Sequence, residues 1–278
     1  MNKEKKRIIA TILLTGFMLG CQSNRYIPDL SNQIEYHYKV TIYSGKIRNK
    51  DICGFKYYNE KEQLVESVGH EYRTKFFYNN KGQLIEVFNC RMYNCQIGYR
   101  DILIYDDKGN HIEKYRITGR HPNIDTIKKE QIKFYDKNKH LIKEFIFRNT
   151  NGYGKLYEYW KYYIYEDDKI VTEITTCTND TAWVGSYSYD KMGNLIAIIR
   201  KNGQKQQKET FEYDQSNNLI KKKIEDNSYP LTKDVSFSAT NWSATFLYNE
   251  QGKLIEEKRY NHKGEEYLKY IYVYEYKK

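Results

Sequence analysis

One short pattern is written along most of the chain: YNNKGQLIEV at 78–87, YDDKGNHIEK at 105–114, YDKMGNLIAI at 189–198 and YNEQGKLIEE at 248–257. Anchored on its tyrosine, it falls at Tyr58, Tyr78, Tyr105, Tyr135, Tyr165, Tyr189, Tyr213 and Tyr248, with a partial ninth copy at Tyr260. The intervals run from 20 to 35 residues and the last is 12. A solenoid with rigid rungs keeps a tighter period, so the variation belongs in connecting segments.

Each position of the copy has a physical reason. Two residues before the anchor stand Phe76, Leu103, Tyr163, Tyr187, Phe211 and Phe246, which the two-residue period of a strand puts on the tyrosine's face; Lys133 breaks this set. After the anchor comes a short polar residue, such as Asn59, Asn79, Asp106, Asp136, Asp190, Asp214, Asn249 or Asn261. Its side chain can accept a bond from the amide two residues on and so fix a turn, for which Glu166 is too long. Gly82, Gly109, Gly193, Gly252 and Gly264 then supply positive φ, and Asn217 tolerates it. Glu62 and Lys139 hold that position only with strain, so their turns are expected to be irregular, and the copy at Tyr165 is one residue short. Leu-Ile pairs at 84, 141, 195, 219 and 254 begin a return strand. The unit is a β-hairpin.

A lone hairpin cannot bury its apolar face, whereas hairpins laid side by side do so jointly. The expected fold is therefore all-β: one domain over residues 34–278, a twisted, curved antiparallel meander of repeated hairpins, open or partly wrapped. Its last strand is expected to be an exposed edge guarded by Lys277 and Lys278. Thirty tyrosines in 278 residues agree with β structure, because the ring packs while the hydroxyl stays hydrogen-bonded.

Tyr-Asp ahead of a glycine turn and a Leu-Ile return strand resembles the YD repeats of RHS-type proteins, and the overall plan is similar to repeat lipoproteins common in Bacteroidota. The resemblance covers roughly residues 55 to 275. RHS proteins wind very many copies into a closed shell around a toxin, usually with a cleavage motif near the end; this chain has few copies and no such motif. The resemblance implies β-sheet and a binding or scaffolding role, and it implies no catalysis for the repeats.

The N-terminus carries an address. Lys3, Lys5, Lys6 and Arg7 precede an apolar run from Ile8 to Leu19, too short to span a bilayer and suited to a signal peptide over residues 1–20. Gly20 directly before Cys21, in MLGC, resembles the lipobox of bacterial lipoproteins, with Met18 where leucine is commoner. That resemblance implies lipid on Cys21, a tether over residues 21–33 and membrane anchoring in the bacterial cell envelope, each buried methylene adding about 0.8 kcal/mol. Gln22 stands where an acidic residue would retain a lipoprotein in the inner membrane, which implies the outer membrane, facing the periplasm or the exterior. The alternative is an ordinary secreted protein whose signal ends near a cysteine.

Removing residues 1–20 takes four basic side chains and one acidic and leaves a net charge of +7. Lysine and glutamate alternate with apolar residues throughout, without the basic stripe of a nucleic-acid binder, and Lys221, Lys222 and Lys223 read as a solvated strand end. Cys53, Cys90, Cys95 and Cys177 sit in a compartment that permits disulfides; Cys90 with Cys95 is the foremost pair, and free buried thiols are the alternative.

Catalytic and metal signals are weak. His111 and His140 stand beside turns, no phosphate loop, HExxH or GxSxG occurs, and the pairs Asp106, Asp107 and Asp167, Asp168 read as solvated turn residues. The expectation is a non-enzymatic protein with no cofactor and no metal. What stands out is aromatic surplus: Tyr270, Tyr272, Tyr274 and Tyr276 share one strand face, and Trp183 and Trp242 lie in longer segments between hairpins. Rows of exposed rings bind sugars and proteins; cross-strand tyrosines also stabilise sheets without any ligand, and buried tryptophans plug cores. The functional expectation is a binding or scaffold module for a polysaccharide or an envelope protein, with an immunity-like or inhibitory protein covering a partner toxin as the alternative.

Overall fold

The computed structural model describes residues 29–45, 51–92, 94–120, 126–149, 156–177, 180–227 and 241–277. These form eighteen strands: β1 (Tyr38–Ser44), β2 (Asp51–Tyr58), β3 (Leu64–Val68), β4 (Tyr72–Tyr78), β5 (Leu84–Arg91), β6 (Asn94–Tyr105), β7 (His111–Arg120), β8 (Thr126–Tyr135) and β9 (Leu141–Asn149). Then follow β10 (Leu156–Glu166), β11 (Lys169–Cys177), β12 (Asp180–Tyr189), β13 (Leu195–Asn202), β14 (Lys205–Tyr213), β15 (Leu219–Asp226), β16 (Trp242–Tyr248), β17 (Leu254–Tyr260) and β18 (Glu266–Tyr276). Each strand pairs antiparallel with the next, as in β4 with β5 and β5 with β6. The ring then closes, because β1 pairs with β2 on one side and with β18 on the other, Tyr38 opposite Tyr276 and Ser44 opposite Tyr270.

The sheet is thus a closed barrel, which corrects the expectation of an open or partly wrapped meander. It also removes the expected edge: β18 is flanked by β17 and β1, and the Lys277 amide donates to the His37 carbonyl at 2.9 Å. Closure removes unpaired backbone groups that charged guards would otherwise have to protect.

Eight repeat turns gather on one rim, because the strands alternate in direction; the turn at 261–265 lies on the other rim. The turns follow the side-chain logic of the repeat. Asn79 Oδ1 accepts from the amides of Lys81 and Gln83, and Asp190 Oδ1 accepts from those of Met192 and Asn194. Glu62 and Lys139 were expected to spoil their turns and do not. They adopt φ of 58° and 69° and keep the same amide-to-carbonyl closure, to Asn59 at 3.0 Å and to Asp136 at 3.1 Å. The strain is local and small beside the hydrogen bonds that the turn and its neighbours make. The short copy closes as a two-residue turn with Asp167 and Asp168 both at positive φ.

Turns also lace to one another around this rim. Gln63 donates to the Gly82 carbonyl and Gln83 to that of Gly109, both at 3.2 Å. His140 stacks on Tyr165 and lies 3.0 Å from both Asp136 and Asp168, joining two adjacent hairpins.

Residues 29–37 lie across the outer face of β1–β3. Leu30 packs with Phe55, Tyr57 and Val68, and the Asp29 carboxylate accepts from Lys39 Nζ at 2.6 Å and from the Tyr57 hydroxyl at 2.9 Å. The packed chain therefore reaches back to Asp29, into the stretch assigned to the tether; residues 1–20 and Cys21 lie outside the described residues. Cys90 and Cys95 are joined by a disulfide across the end of the β5–β6 hairpin.

Gly98 packs its α-carbon against the Asn89 and Cys90 backbone of β5, where a Cβ would collide with the Asn89 carbonyl. Gly98→Ala is expected to lower stability by about 2 kcal/mol, and Glu62→Gly to raise it by about 1 kcal/mol through relief of positive φ. Denaturant midpoints of the two variants check both signs.

Candidate functional site

Alternation along each strand divides the wall into two faces. The anchor tyrosines point inward, and so do the residues that start the return strands. Around the turn rim the inner face reads Tyr58, Leu64, Tyr78, Leu84, Tyr105, His111 and onward, the aromatic and aliphatic positions alternating from strand to strand. Six anchor phenols bond the strand before them, among them Tyr78 to the Leu64 carbonyl, Tyr105 to Leu84, Tyr135 to His111 and Tyr189 to Ile170, and Tyr274 of β18 bonds Leu254 in the same way, at 2.7 to 3.0 Å.

Above this ring the inner wall is apolar over β1, β2 and β18, where Val40, Ile42, Cys53 and Tyr270 pack together, and carries charged side chains elsewhere. Glu144 accepts from the Tyr163 hydroxyl at 2.7 Å and from Gln131 at 2.7 Å. Glu173 accepts from Tyr187 at 2.8 Å and faces Arg200 and Lys161 at 3.4 and 3.7 Å. Arg200 crosses strand β12 to reach it, over Gly185, which has no side chain to block the way. Arg200 then pairs with Glu209 at 2.7 Å, and Glu209 with Lys222 at 2.9 Å. On β6–β8, Asp101, Arg116, Lys114 and Glu130 form a second such chain. These contacts run along the wall, each joining strands one or two apart.

Burial and the neighbouring carboxylates push the Tyr163, Tyr187 and Tyr272 hydroxyls well above the ordinary phenol range, so they remain donors. Burial alone would raise Glu173; the charge of Lys161 and the bonds from Tyr187 and Arg200 hold it below the usual value. Several inward cations keep partial exposure, 22% for the Arg200 side chain and 33% for Arg116. The wall is therefore lined rather than packed solid, as in barrels with this many strands.

The structure redistributes the residues singled out in the sequence. Tyr270 and Tyr272 face inward at 1% and 8% exposure, so the idea of a solvent-facing tyrosine ladder is corrected for them: closure turned that face into the interior. Tyr274 also faces in, and Tyr276, 53% exposed, lies at the turn rim against Tyr38. Trp183 and Trp242 sit in strands β12 and β16 rather than in loops, inward and half-buried. The Lys221–Lys223 triplet splits by alternation: Lys222 points inward to Glu209, while Lys221 and Lys223 pair outside with Glu212 and Glu225. Glu144, Glu173, Arg200, Glu257 and Arg259 went unnoticed in the sequence; their phase relative to the anchor tyrosine was the signal that could have found them.

His111 takes an aliphatic place in the inner ring. Its Nε2 bonds the Glu113 carbonyl at 2.9 Å and its Nδ1 lies 3.3 Å from Lys133 Nζ, so the neutral tautomer donates at one end and accepts at the other. Burial, then the Lys133 charge, push it down from 6.5 to about 4. Among the described residues no three metal-ligating side chains converge.

No family model matches the chain, and no curated protein matches it. Among solved structures it is similar to the TcdB2-TccC3-Cdc42 complex, at 12% identity and a TM-score of 0.44, over 84% of this chain and 14% of that one. It is also similar to a porin-like protein from Bacteroides uniformis ATCC 8492, at 10% identity and a TM-score of 0.40, over 85% of this chain and 97% of that one.

Two outcomes follow from the inner wall. Glu173→Ala leaves Lys161 and Arg200 without their shared carboxylate and is expected to cost about 3 kcal/mol by chemical denaturation. The folded His111 value lies below 6.5, so the unfolded chain binds the extra proton; this contribution is whole above about pH 6.5 and is lost as pH falls toward about 4. His111→Gln should flatten the stability profile in the upper part of that window, before the carboxylates titrate.

Proposed function

We propose that this chain is a lipid-anchored protein of the bacterial cell envelope whose barrel interior holds a polar ligand of glycan type, without catalysis. The observation that carries the reading is the inner wall: tyrosine and tryptophan faces interleaved with charge pairs that remain partly exposed. Sugar rings stack on aromatic faces and exchange hydrogen bonds with charged side chains, and both are supplied there on rigid strands. The signal segment and Cys21 support the address.

No helix among the described residues is long and apolar enough to cross a membrane, which says nothing of crossing by strands. The outer wall bears on that point directly. It carries Lys129 with Glu113, Lys221 with Glu212, and Lys258 and Lys269 with Glu256. These charged pairs interrupt the apolar residues exposed beside the repeat turns, such as Phe77, Ile85, Ile104, Ile220 and Leu247, whereas a membrane-spanning barrel shows hydrocarbon an unbroken apolar band. Anchoring through lipid, with the barrel in solution, fits both faces.

One outer patch supports a second reading. Phe134, Ile142, Tyr162 and Ile164 lie together on β8–β10 at 43%, 40%, 37% and 49% exposure. Such a patch docks protein, as an inhibitory or immunity-like protein covering a toxin would require.

Affinity capture from envelope extract with the full-length chain separates the two. Retained polysaccharide that is lost in Trp242→Ala and kept in Phe134→Ser is the expected result. A single stoichiometric protein, lost in Phe134→Ser and indifferent to Trp242→Ala, would replace the interior reading with the outer one.

A further inference from the structure

Resting on the interior glycan reading, we propose that the inner wall over β15–β18 is a binding site for a carboxylated sugar, a uronic-acid unit of an anionic glycan. The centre of the site is Arg259. Its Nε donates to Glu257 Oε1 at 2.7 Å, which fixes the guanidinium against the wall, and the other Glu257 oxygen accepts from the Tyr272 hydroxyl at 2.9 Å. The fork is flanked by two rings, with Cζ 5.8 Å from the centre of Trp242 and 5.6 Å from that of Tyr270. Its two terminal nitrogens take no partner among the described residues, so its paired donors are uncommitted.

A second observation points to a ligand. Tyr270 is 1% exposed and its hydroxyl is buried with no hydrogen-bond partner, although nearly all such groups in folded proteins are satisfied. The neighbouring phenol on the same face, Tyr272, does have its carboxylate. An inward hydroxyl left open beside an arginine with free donors is a polar group kept for a partner outside the wall.

The donors define the chemistry. Two parallel N–H groups of one guanidinium match the two oxygens of a carboxylate, and the flanking rings leave the fork open at its edge, the direction from which a planar group arrives. The Trp242 indole offers a face for a sugar ring and is the first residue of β16, at the rim away from the repeat turns. Lys222 Nζ, 5.8 Å from the same indole and held by Glu209, adds a second positive charge. A neutral sugar would stack equally well and would leave the fork unanswered.

The test is calorimetric titration of the full-length chain with oligogalacturonate and with the same oligomer after reduction of its carboxyl groups to alcohols. The acidic oligomer is expected to bind about tenfold more tightly than the neutral one, the size of one good charged hydrogen-bond pair. Arg259→Lys keeps a cation beside Glu257 but loses the fork, and should abolish most of that preference. Tyr270→Phe removes one oxygen without disturbing packing, so it should weaken the acidic oligomer severalfold while the melting temperature stays level or rises. Equal binding of both oligomers, unchanged in the two variants, overturns the carboxylate site and leaves the interior glycan reading standing. Binding of neither oligomer overturns this site and counts against the interior reading as well. Preferential binding of the acidic oligomer that neither variant alters places the site elsewhere and also overturns the assignment.

Discussion

The bond from an anchor phenol to the strand before it, made by the six anchors from Tyr78 to Tyr213, is the interaction on which the barrel depends. Within a hairpin the tyrosine pairs with the first return-strand residue, and the register then shifts by one, as between Phe77 and Tyr78. The ladder to the next hairpin begins two residues further in, at Glu86 opposite Ile102, so the Leu84 carbonyl lies beyond it. The Tyr105 hydroxyl takes that carbonyl at 2.7 Å. The same stagger recurs where Tyr165 bonds Leu141 and Tyr213 bonds Leu195. A side chain thus supplies the hydrogen bond that the backbone gives up, and the stagger this permits, summed over the hairpins, is the shear a closed barrel needs.

Closure then decides what each face can be. A phenol that bonds its neighbour's carbonyl must lie flat along the inner wall, which leaves the residues above it to line the interior. With eighteen strands those residues cannot all touch across the middle, so charge persists there in paired form, as in the run from Glu173 through Arg200 and Glu209 to Lys222. The outer face is free to carry a mixed surface, except over β1–β3, where the segment from Asp29 covers Phe55, Tyr57 and Val68. On the inner wall over β16–β18, the Tyr270 hydroxyl and the terminal nitrogens of Arg259 take no partner among the described residues.

Some of this was legible in the chain. Hairpin positions, the Asn and Asp turn bonds, the face shared by the anchor tyrosine and the residue two before it, and the all-β class follow from local rules, because a turn is fixed by four or five consecutive residues. Other readings failed where a local rule met a tertiary one. Glu62 and Lys139 hold the left-handed turn position because neighbouring hairpins and the ladder dictate it. Tyr270 and Tyr272 are equally consistent with either face of a sheet until it is known which way the sheet curls.

The sequence by itself determined a repeated hairpin, its turn chemistry and its two-residue alternation, since each is written within a short window. Only the tertiary structure decided that β1 would pair with both β2 and β18, and hence that there is an inside. The reason is physical: closure depends on the sum of small shears over all hairpins, and no single copy carries that sum. From it follow the burial of the β18 tyrosines, the convergence of Glu257 and Arg259 beside Trp242, and the inward place of Lys222 within a triplet that otherwise faces water.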